Sequence, residues 1–220
     1  MLRTDGEASF FISIFRNKDY KLGWQIQPAF SITLHNKDSA LLHQIQSFFG
    51  VGKIRINKNR GLLTYSVLAL DDLKNVLIPH FEKYPLISNK ALDFLLWSKV
   101  ISLILTKDHL TELGFSTILS RYPPGNWGIS KKVLSFYPDI KPFGRPVITL
   151  PLNLNPQWVS GFVAGDGGFS IYVKPAKDYL LSEKVYCRFA ITQHIKDLEL
   201  IKLFSKFFNC CAPRHNTCEI

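Results

Sequence analysis

The stretch VSGFVAGDGGF, Val159–Phe169, decides how this 220-residue chain is interpreted. It predicts a short helix with an apolar stripe formed by Val159, Phe162 and Val163. Gly161 leaves bare backbone on that helix, where a second helix can approach closely. Asp166 stands at the predicted helix end, and the glycines beside it let the chain turn into a strand over Phe169–Val173. Alone, the pattern could be no more than a glycine-rich helix end.

The motif occurs twice in the chain, with a spacing of 159 positions. A shift of 159 positions aligns DGEASF, which contains Glu7, with AGDGGF, which contains Asp166. The same shift carries FSITLHNKD, Phe30–Asp38, onto FAITQHIKD, Phe189–Asp197, without a gap. Two blocks in one register indicate a tandem duplication, in which the first helix of each copy ends in a carboxylate.

The composition fits a compact globular protein with an anionic partner. Hydrophobic residues make up 46% of the chain, enough for one large core or two smaller ones. Lys and Arg number 27 against 17 Asp and Glu, and the net charge of +10 makes nucleic acid the leading candidate partner. No apolar run is long enough to cross a bilayer, so we expect no membrane association.

Other chemistries receive little support from the sequence. A disulfide framework is not expected, since three of the four cysteines crowd the last dozen residues. With a nearby histidine they make a weak zinc pattern that lacks a paired C-x-x-C: Cys210, Cys211, His215 and Cys218. A metabolic enzyme is less favoured still, because no phosphate-binding glycine loop or nucleophile–histidine pair is found.

The first copy is predicted to fold as αββαββα, beginning with the end of a helix at Met1–Glu7. Its second strand alternates between a polar face and an apolar face. The polar face carries Gln25, Gln27, Ser31 and Thr33, and the apolar face carries Ile26, Pro28, Phe30, Ile32 and Leu34. The predicted elements are strands Phe10–Arg16 and Trp24–Leu34, helix Asn36–Phe49, hairpin strands Lys53–Asn57 and Leu63–Leu70, and helices Asp71–Phe81 and Ser88–Leu105.

The predicted organisation is a first repeat over residues 1–120, a linker over 121–156 and a second repeat over 157–220. The linker region has seven prolines and a short helical piece, Lys131–Tyr137, which predicts a connection draped over the surface. The second copy repeats helix, strand, strand and helix to about Phe208. It shows no counterpart of the second hairpin and the last helices of the first copy.

With its two motifs, the chain resembles the LAGLIDADG homing endonucleases, most closely the single-chain, two-repeat group of fungal mitochondrial introns. The sequence segments FSITLHNKD, FAITQHIKD, HFEKYPLISNK and NWG strengthen the resemblance. It implies an α+β fold of two tandem αββαββα half-domains with saddle-shaped antiparallel sheets, the second half incomplete. It further implies a monomer with pseudo-twofold symmetry, in which the two motif helices pack together, and a mitochondrial location.

The resemblance also implies a metal site for cutting DNA. Glu7 and Asp166 match the family's metal-binding acids, and the carbonyls of Gly6 and Gly165 match its backbone ligands. Mg²⁺ prefers oxygen ligands and commonly takes one or two carboxylates, so these groups would suffice. Each phosphodiester displacement is helped by a divalent ion, which explains why two acids are needed for two strands. The alternative is that both acids are helix-end carboxylates without metal.

Recognition of double-stranded DNA is expected from the polar sheet faces. In the first copy this face carries Ser13, Phe15, Gln25, Gln27, Ser31, Thr33, Lys53, Arg55 and Asn57. In the second copy it carries Ser170, Tyr172, Lys174, Lys184, Tyr186, Arg188 and Thr192. Lys58 and Arg60, at a turn, are expected to touch phosphates. For any one of these residues, a solvated strand face is an equally good interpretation.

Two functions remain open from the sequence. The first is a site-specific endonuclease that makes a staggered double-strand cut with Mg²⁺. The second is a non-cleaving binder, either a maturase that helps its host intron RNA to fold or a degenerate remnant. The first motif lacks most of its helix and the second copy lacks its hairpin, so the chain is expected to be incomplete at both ends. Either flanking sequence continues it, or the gene has degenerated.

Overall fold

The computed structural model describes residues 8–121, 133, 135–141 and 149–209. The chain divides into two compact units. The N-terminal unit contains residues 8–86 and 90–141 of this described part, and the C-terminal unit contains Ile87–Asn89 and residues 149–209. Within these ranges, no helix combines the length and the apolar character that crossing a membrane requires.

The N-terminal unit is built on a four-stranded antiparallel sheet in the order β1-β2-β4-β3. The strands are β1 (Ala8–Arg16), β2 (Trp24–His35), β3 (Lys53–Asn57) and β4 (Leu62–Val67). The helices are α1 (Ser39–Phe49), α2 (Leu70–Asp72, the π-helical turn Leu73–Leu77 and Ile78–Lys83), α3 (Lys90–Leu105) and α4 (Glu112–Arg121). Short 3₁₀ turns stand at Asn36–Asp38, Lys58–Arg60 and Asp108–Leu110.

The apolar face of this sheet packs against α2 and α3. Phe10 lies at the centre, with its ring 5.2 Å from the rings of Phe30 and Phe81 and 5.3 Å from that of Trp97. Ile26, Phe30, Ile32 and Leu34 are buried, and they alternate with half-buried polar residues of β2. The predicted alternation of this strand is therefore confirmed, and it leaves the opposite face of the sheet to polar side chains.

Helix α4 was not predicted from the sequence. Its residues Phe115, Ile118 and Leu119 are buried at helical spacing, but Gly114 and several hydroxyl side chains weaken the pattern. The glycine is needed for close packing, since an added Cβ would lie 2.1 Å from the carbonyl oxygen of Asp108. The helix forms because tertiary burial overrides its weak intrinsic preference.

The connection after α4 is not wholly a surface linker. Val133 is helical and lies buried in the N-terminal core, together with partly buried Tyr137 and Ile140. Phe136 packs across the end of the first hairpin, where the Arg16 guanidinium lies 4.4 Å from its ring and 4.1 Å from the ring of Trp24. The linker was predicted to be draped over the surface, and burial of Val133 shows that the described part is instead anchored in the core at this residue.

The C-terminal unit repeats the order helix, strand, strand and helix. It consists of α5 (Pro156–Asp166), β5 (Gly167–Pro175), β6 (Glu183–Ile191), a 3₁₀ turn at Ile195–Asp197 and α6 (Leu198–Phe208). Its core groups Trp158 and Phe162 of α5 with Phe204 of α6, whose rings lie 4.9–5.7 Å apart. The two strands pair antiparallel along their whole length.

The tips of the two β-hairpins show that the duplication extends further than the sequence blocks indicated. Asn17–Gly23 and Ala176–Ser182 are 159 positions apart and form the same three backbone hydrogen bonds. At the last position of each loop the backbone is left-handed, with φ of 69° at Gly23 and 52° at Ser182. The second loop therefore holds a residue with a Cβ in a conformation that favours glycine.

We predict that Ser182→Gly stabilises the protein and that the reciprocal change, Gly23→Ser, destabilises it. Relief of left-handed strain should raise the free energy of unfolding by about 0.5–1 kcal/mol after the entropy cost of a new glycine. Gly23→Ser should lower it by about 1 kcal/mol. Urea unfolding of both variants measures the changes, and a destabilised Ser182→Gly would show that the loop is not strained.

Candidate active site and nucleic-acid interface

Asp166 is the last residue of helix α5, and local sequence determines where that helix begins and ends. Asn155 caps its start, with the side-chain oxygen accepting from the amides of Gln157 at 2.8 Å and Trp158 at 3.3 Å. Pro156 occupies the first turn, where its missing amide hydrogen costs nothing. The predicted stripe is buried at Val159 and Phe162 and half-buried at Val163. Gly161 is buried as well, and Asp166 is half-buried.

The helix passes directly into strand β5 at Gly167. We expected glycines here to provide a sharp turn, but Gly167 has φ −84° and ψ 142°, an extended conformation open to any residue. Its amide donates to the carbonyl oxygen of Val163, and an added Cβ would lie 2.5 Å from that oxygen. Close approach of the backbone therefore requires the glycine, and it places Asp166 directly before the first residue of the C-terminal sheet.

Gln193 holds the Asp166 carboxylate. Its side-chain Nε2 donates to Asp166 Oδ2 at 2.7 Å, and both side chains are half-buried. Gln193 lies two residues beyond β6, inside the phrase FAITQHIKD, and the 159-residue shift aligns it with Leu34. Sequence reasoning missed this residue. The signal was a polar side chain at a position where the first copy has a buried leucine.

The acid of the first repeat, Glu7, and its neighbour Gly6 lie outside the described residues. The structure does describe Ala8, which follows Glu7 in the sequence, and the Lys90 ammonium donates to its carbonyl oxygen at 2.5 Å. Lys90 begins helix α3 and belongs to the phrase HFEKYPLISNK. A cation beside the end of the first motif is a second feature that was not predicted, because nothing in the sequence brings residues 8 and 90 together.

The donor set at Asp166 suits a hard cation. A half-buried carboxylate and an adjacent amide side chain offer oxygen ligands, and Mg²⁺ usually completes its shell with water and phosphate oxygens. Across the described part of the chain, no three or more His, Cys, Asp and Glu side chains group together in a way that could hold a metal. The weak zinc pattern near residues 210–218 lies outside that part.

The polar face of the N-terminal sheet is a continuous surface across its strands. The register sets Ser13 opposite Gln27 and Phe15 opposite Gln25. It also forms two rows across three strands, namely Ser31, Ser66 and Lys53, and Thr33, Thr64 and Arg55. Thr64 and Ser66 were missed, although they alternate with the buried residues of β4. The face therefore includes more hydroxyl groups than the sequence analysis assigned to it.

Several of these polar groups are already oriented by hydrogen bonds. Asn17 Nδ2 donates to Gln25 Oε1 at 2.7 Å, and the hydroxyl oxygens of Thr33 and Thr64 lie 2.9 Å apart. The Asn57 side chain accepts from the backbone amide of Arg60 at 3.2 Å, so this oxygen caps the turn of Lys58–Arg60. Lys58 and Arg60 are exposed at the tip of that hairpin. The ammonium of Lys58 and the guanidinium of Arg60 are therefore accessible to a partner.

The polar face of the C-terminal sheet is a compact block of aromatic and cationic side chains. Cross-strand pairs place its residues together: Ser170 with Arg188, Tyr172 with Tyr186, and Lys174 with Lys184. The Lys184 ammonium lies 4.9 Å from the ring centre of Tyr186, and a hydrogen bond that it donates to the Tyr179 side chain raises the pKa of Lys184. Thr192 lies just beyond β6 and is exposed.

A family model for LAGLIDADG endonucleases matches residues 4–101 and 159–218, which is most of the chain. The chain belongs to the LAGLIDADG endonuclease family. It is 38% identical over 218 residues to a Neurospora crassa protein named probable intron-encoded endonuclease 2. That match covers 94% of this chain and 47% of the relative, so the chain spans about half the length of this curated LAGLIDADG relative.

Solved structures of LAGLIDADG homing endonucleases share the fold. I-LtrWI bound to its target DNA superposes with a TM-score of 0.92 and 32% identity, covering 98% of this chain and 73% of that one. I-SmaMI bound to uncleaved target DNA in the presence of calcium ions gives a TM-score of 0.91 and 33% identity, covering 97% and 72%. The predicted family and the α+β fold class are confirmed.

We predict that Arg188→Ala raises the pKa of Tyr172. Hydrogen bonds from Ser170 and Arg188, together with the charge of Arg188, hold the pKa of Tyr172 below its ordinary value of 10.0. A pH titration of the tyrosine ring resonances by NMR measures the change. Arg55→Ala, on the sheet of the other unit, is the matched control and should leave this pKa unchanged. An unaltered pKa in Arg188→Ala would contradict the side-by-side placement of these residues.

Proposed function

We propose that this LAGLIDADG chain is a site-specific double-stranded DNA endonuclease that hydrolyses phosphodiester bonds with Mg²⁺. The observation that carries the proposal is the junction at Asp166. The carboxylate is fixed by Gln193 and stands directly before β5, which pairs with β6 in a sheet whose polar face presents Arg188 and two lysines. An anchor for a divalent ion and a surface suited to a phosphate backbone thus belong to the same helix-and-sheet unit.

The residues have separate tasks in this proposal. Bound Mg²⁺ would polarise the scissile phosphate and lower the pKa of a water molecule. Asp166 supplies a negatively charged oxygen to anchor the ion, and Gln193 fixes the direction in which that oxygen points. Glu7 is proposed as the corresponding acid of the first repeat, with the carbonyls of Gly6 and Gly165 as further ligands. Two acids match the two strands that must be cut.

Base recognition is assigned to the two polar sheet faces. Glutamine and arginine side chains pair with adenine and guanine edges in the major groove, which suits Gln27, Arg55 and Arg188. The bond from Asn17 fixes the amide of Gln25 before any partner is bound, which lowers the entropy cost of a base contact. Exposed Lys58 and Arg60 are assigned to phosphates. The net charge of +10 supports a polyanionic partner.

The relatives and the family resemblance support a proposal for the origin, location and assembly of the chain. The intron-encoded name of the Neurospora crassa relative supports an origin in an intron, and the resembled group supports the mitochondrion. The I-SmaMI complex with calcium ions and DNA supports a divalent-metal site. The duplicated architecture supports a monomer with pseudo-twofold symmetry. The chain spans about half the length of this curated relative, so each of these assignments is a proposal for the chain.

Substituting Asp166 and Gln193 should separate cutting from binding. Asp166→Asn removes the metal-anchoring charge and should abolish cleavage of duplex DNA selected from a randomised library, while leaving its affinity for that DNA within about threefold. Gln193→Leu, which copies Leu34 of the first repeat, should slow cleavage by about 10–100-fold and raise the Mg²⁺ concentration needed. Cleavage on labelled duplexes and binding by electrophoretic shift give the two measurements.

The control for that pair is Gln44→Leu, on the exposed side of α1, which should change neither property. Undiminished Mg²⁺-dependent cleavage in Asp166→Asn would exclude the metal role of this acid. If the unmodified protein binds DNA selectively but never cuts it, the non-cleaving alternative is correct.

Substituting the two arginines should weaken binding to a preferred DNA site. Arg55→Ala and Arg188→Ala should each cost about 1–3 kcal/mol on that site, and less on unrelated DNA. Lys99→Ala is the matched control, since Lys99 is exposed on α3, which packs against the opposite face of the sheet from Arg55. Fluorescence anisotropy at fixed salt measures the affinities. Equal losses on all DNA sequences would show that both arginines contact only phosphates.

A further inference from the structure

The two units present different side chains at equivalent places of their β-hairpins. The 159-residue shift aligns the hairpin β1–β2 with the hairpin β5–β6, and the cross-strand pairs keep the same register. On the polar face, the pair nearest the loop is Phe15 opposite Gln25 in the first hairpin and Lys174 opposite Lys184 in the second. We call this place on each hairpin the outer pair. It is uncharged in one unit and carries two cations in the other.

The lysine outer pair gathers two ammonium groups at one aromatic ring. Like charges directly opposite each other destabilise a sheet, so this pair favours a partner that accepts hydrogen bonds from both. The ring centre of Tyr186 lies 5.6 Å from the ammonium of Lys174 and 4.9 Å from that of Lys184. Two donors held beside one ring can reach two acceptors that lie close together.

A second ring restricts Lys184 further. Its ammonium lies 5.4 Å from the ring centre of Tyr179 and donates a hydrogen bond to that side chain. Lys184 is also half-buried, whereas Lys174 is exposed. A lysine restricted in this way loses less side-chain entropy when it contacts a partner.

Guanine is the base whose edge matches the lysine outer pair. An ammonium group has three donors and no acceptor. In the major groove, guanine presents two adjacent acceptors, N7 and O6, whereas adenine presents a donor beside its one acceptor. Two lysines at one place therefore favour guanine over adenine.

The outer pair of the first hairpin matches an A·T base pair. The amide of Gln25 has a donor and an acceptor, as the adenine edge does, and Asn17 Nδ2 orients it by donating to Oε1 at 2.7 Å. Phe15 is 40% exposed opposite Gln25 and is suited to contact the thymine methyl group. The shift places Ala176 at the position of Asn17, so the orienting amide belongs to the first hairpin.

The nearest cation of strand β1 does not change this match. The Arg16 guanidinium packs 4.1 Å from the ring centre of Trp24, a buried residue, and 4.4 Å from that of Phe136. If the outer pair served to bind a phosphate, the first hairpin would offer that phosphate no charge from this pair. The difference between the two pairs is instead the one expected for different bases.

We propose that the outer pairs select different bases at equivalent places of the two DNA half-sites. Lys174 and Lys184 select guanine in the half-site that faces β5–β6, and Phe15 and Gln25 select an A·T pair in the half-site that faces β1–β2. This assignment rests on the proposed function, because it requires that both sheets lie against duplex DNA.

The test is a binding selection with the whole 220-residue protein and a library of randomised duplex DNA. Calcium ions take the place of magnesium, since the I-SmaMI complex with calcium holds uncleaved DNA. Sequencing of the bound fraction gives the base preference at each position. Lys174→Phe combined with Lys184→Gln should lower the preference for guanine over adenine about tenfold at one position and favour A·T there.

The reciprocal exchange and a neutral variant complete the set. Phe15→Lys combined with Gln25→Lys should change an A·T preference to guanine at one other position. Each exchange introduces side chains that the equivalent backbone place already holds in the other hairpin, so both variants should fold, which circular dichroism checks. Lys174→Ala combined with Lys184→Ala should lose the guanine preference and gain no other.

The matched control for charge is Lys58→Gln, at an exposed turn assigned to phosphates. It should weaken binding to all sequences alike and leave every base preference unchanged. If the lysine exchange behaves in the same way, both lysines contact phosphates, and the base assignment is wrong while the proposed function stands. If the unmodified protein enriches no sequence at all, the proposed function fails, and the base assignment fails with it.

Discussion

The passage from helix to strand between Asp166 and Gly167 is the constraint on which the C-terminal unit depends. The backbone of Gly167 comes so close to Val163 that a side chain would collide with its carbonyl oxygen. No loop intervenes, so the orientation of the helix determines where the strand starts and which way its residues face. The acid and the polar face of the sheet are consequently fixed relative to each other by the main chain.

Comparison of the two repeats shows which features belong to the fold and which to one copy. The hairpin tips share their hydrogen bonds, and the helices after them both end in a left-handed residue. One side chain differs in kind, because the second copy places Gln193, which bonds Asp166, where the first has buried Leu34. The backbone is thus alike in the two copies at a position where the side chains differ in polarity.

Much of the architecture could be read from the sequence because it rests on local periodicity. The alternation of β2 and the helical stripe of Val159 and Phe162 appear in the structure as predicted. Helix α4 was missed since Gly114 weakens a pattern that tertiary burial then rescues. The burial of Val133 was also missed, because its apolar contacts are with elements distant in the sequence. Local periodicity in a proline-rich segment does not reveal such contacts.

The candidate site was predictable only in part. A repeated acid identified Asp166, but its partner Gln193 is 27 residues away, and strand pairing alone brings the two together. Lys90 reaches Ala8 across an even longer separation. Such contacts depend on the completed fold. Polar residues of β4, by contrast, alternate plainly with its core residues and could have been assigned from the pattern.

The hydroxyl pair of Thr33 and Thr64 has a consequence for how the N-terminal sheet meets a partner. Either hydroxyl of the pair can be the donor, so the hydrogen bond between them can run in either direction. Reversing it exchanges the two roles: the threonine that presented outward lone pairs presents an outward hydrogen, and its partner does the opposite. This row of the sheet can therefore match a donor or an acceptor without moving a heavy atom, which makes it a permissive position beside more selective neighbours.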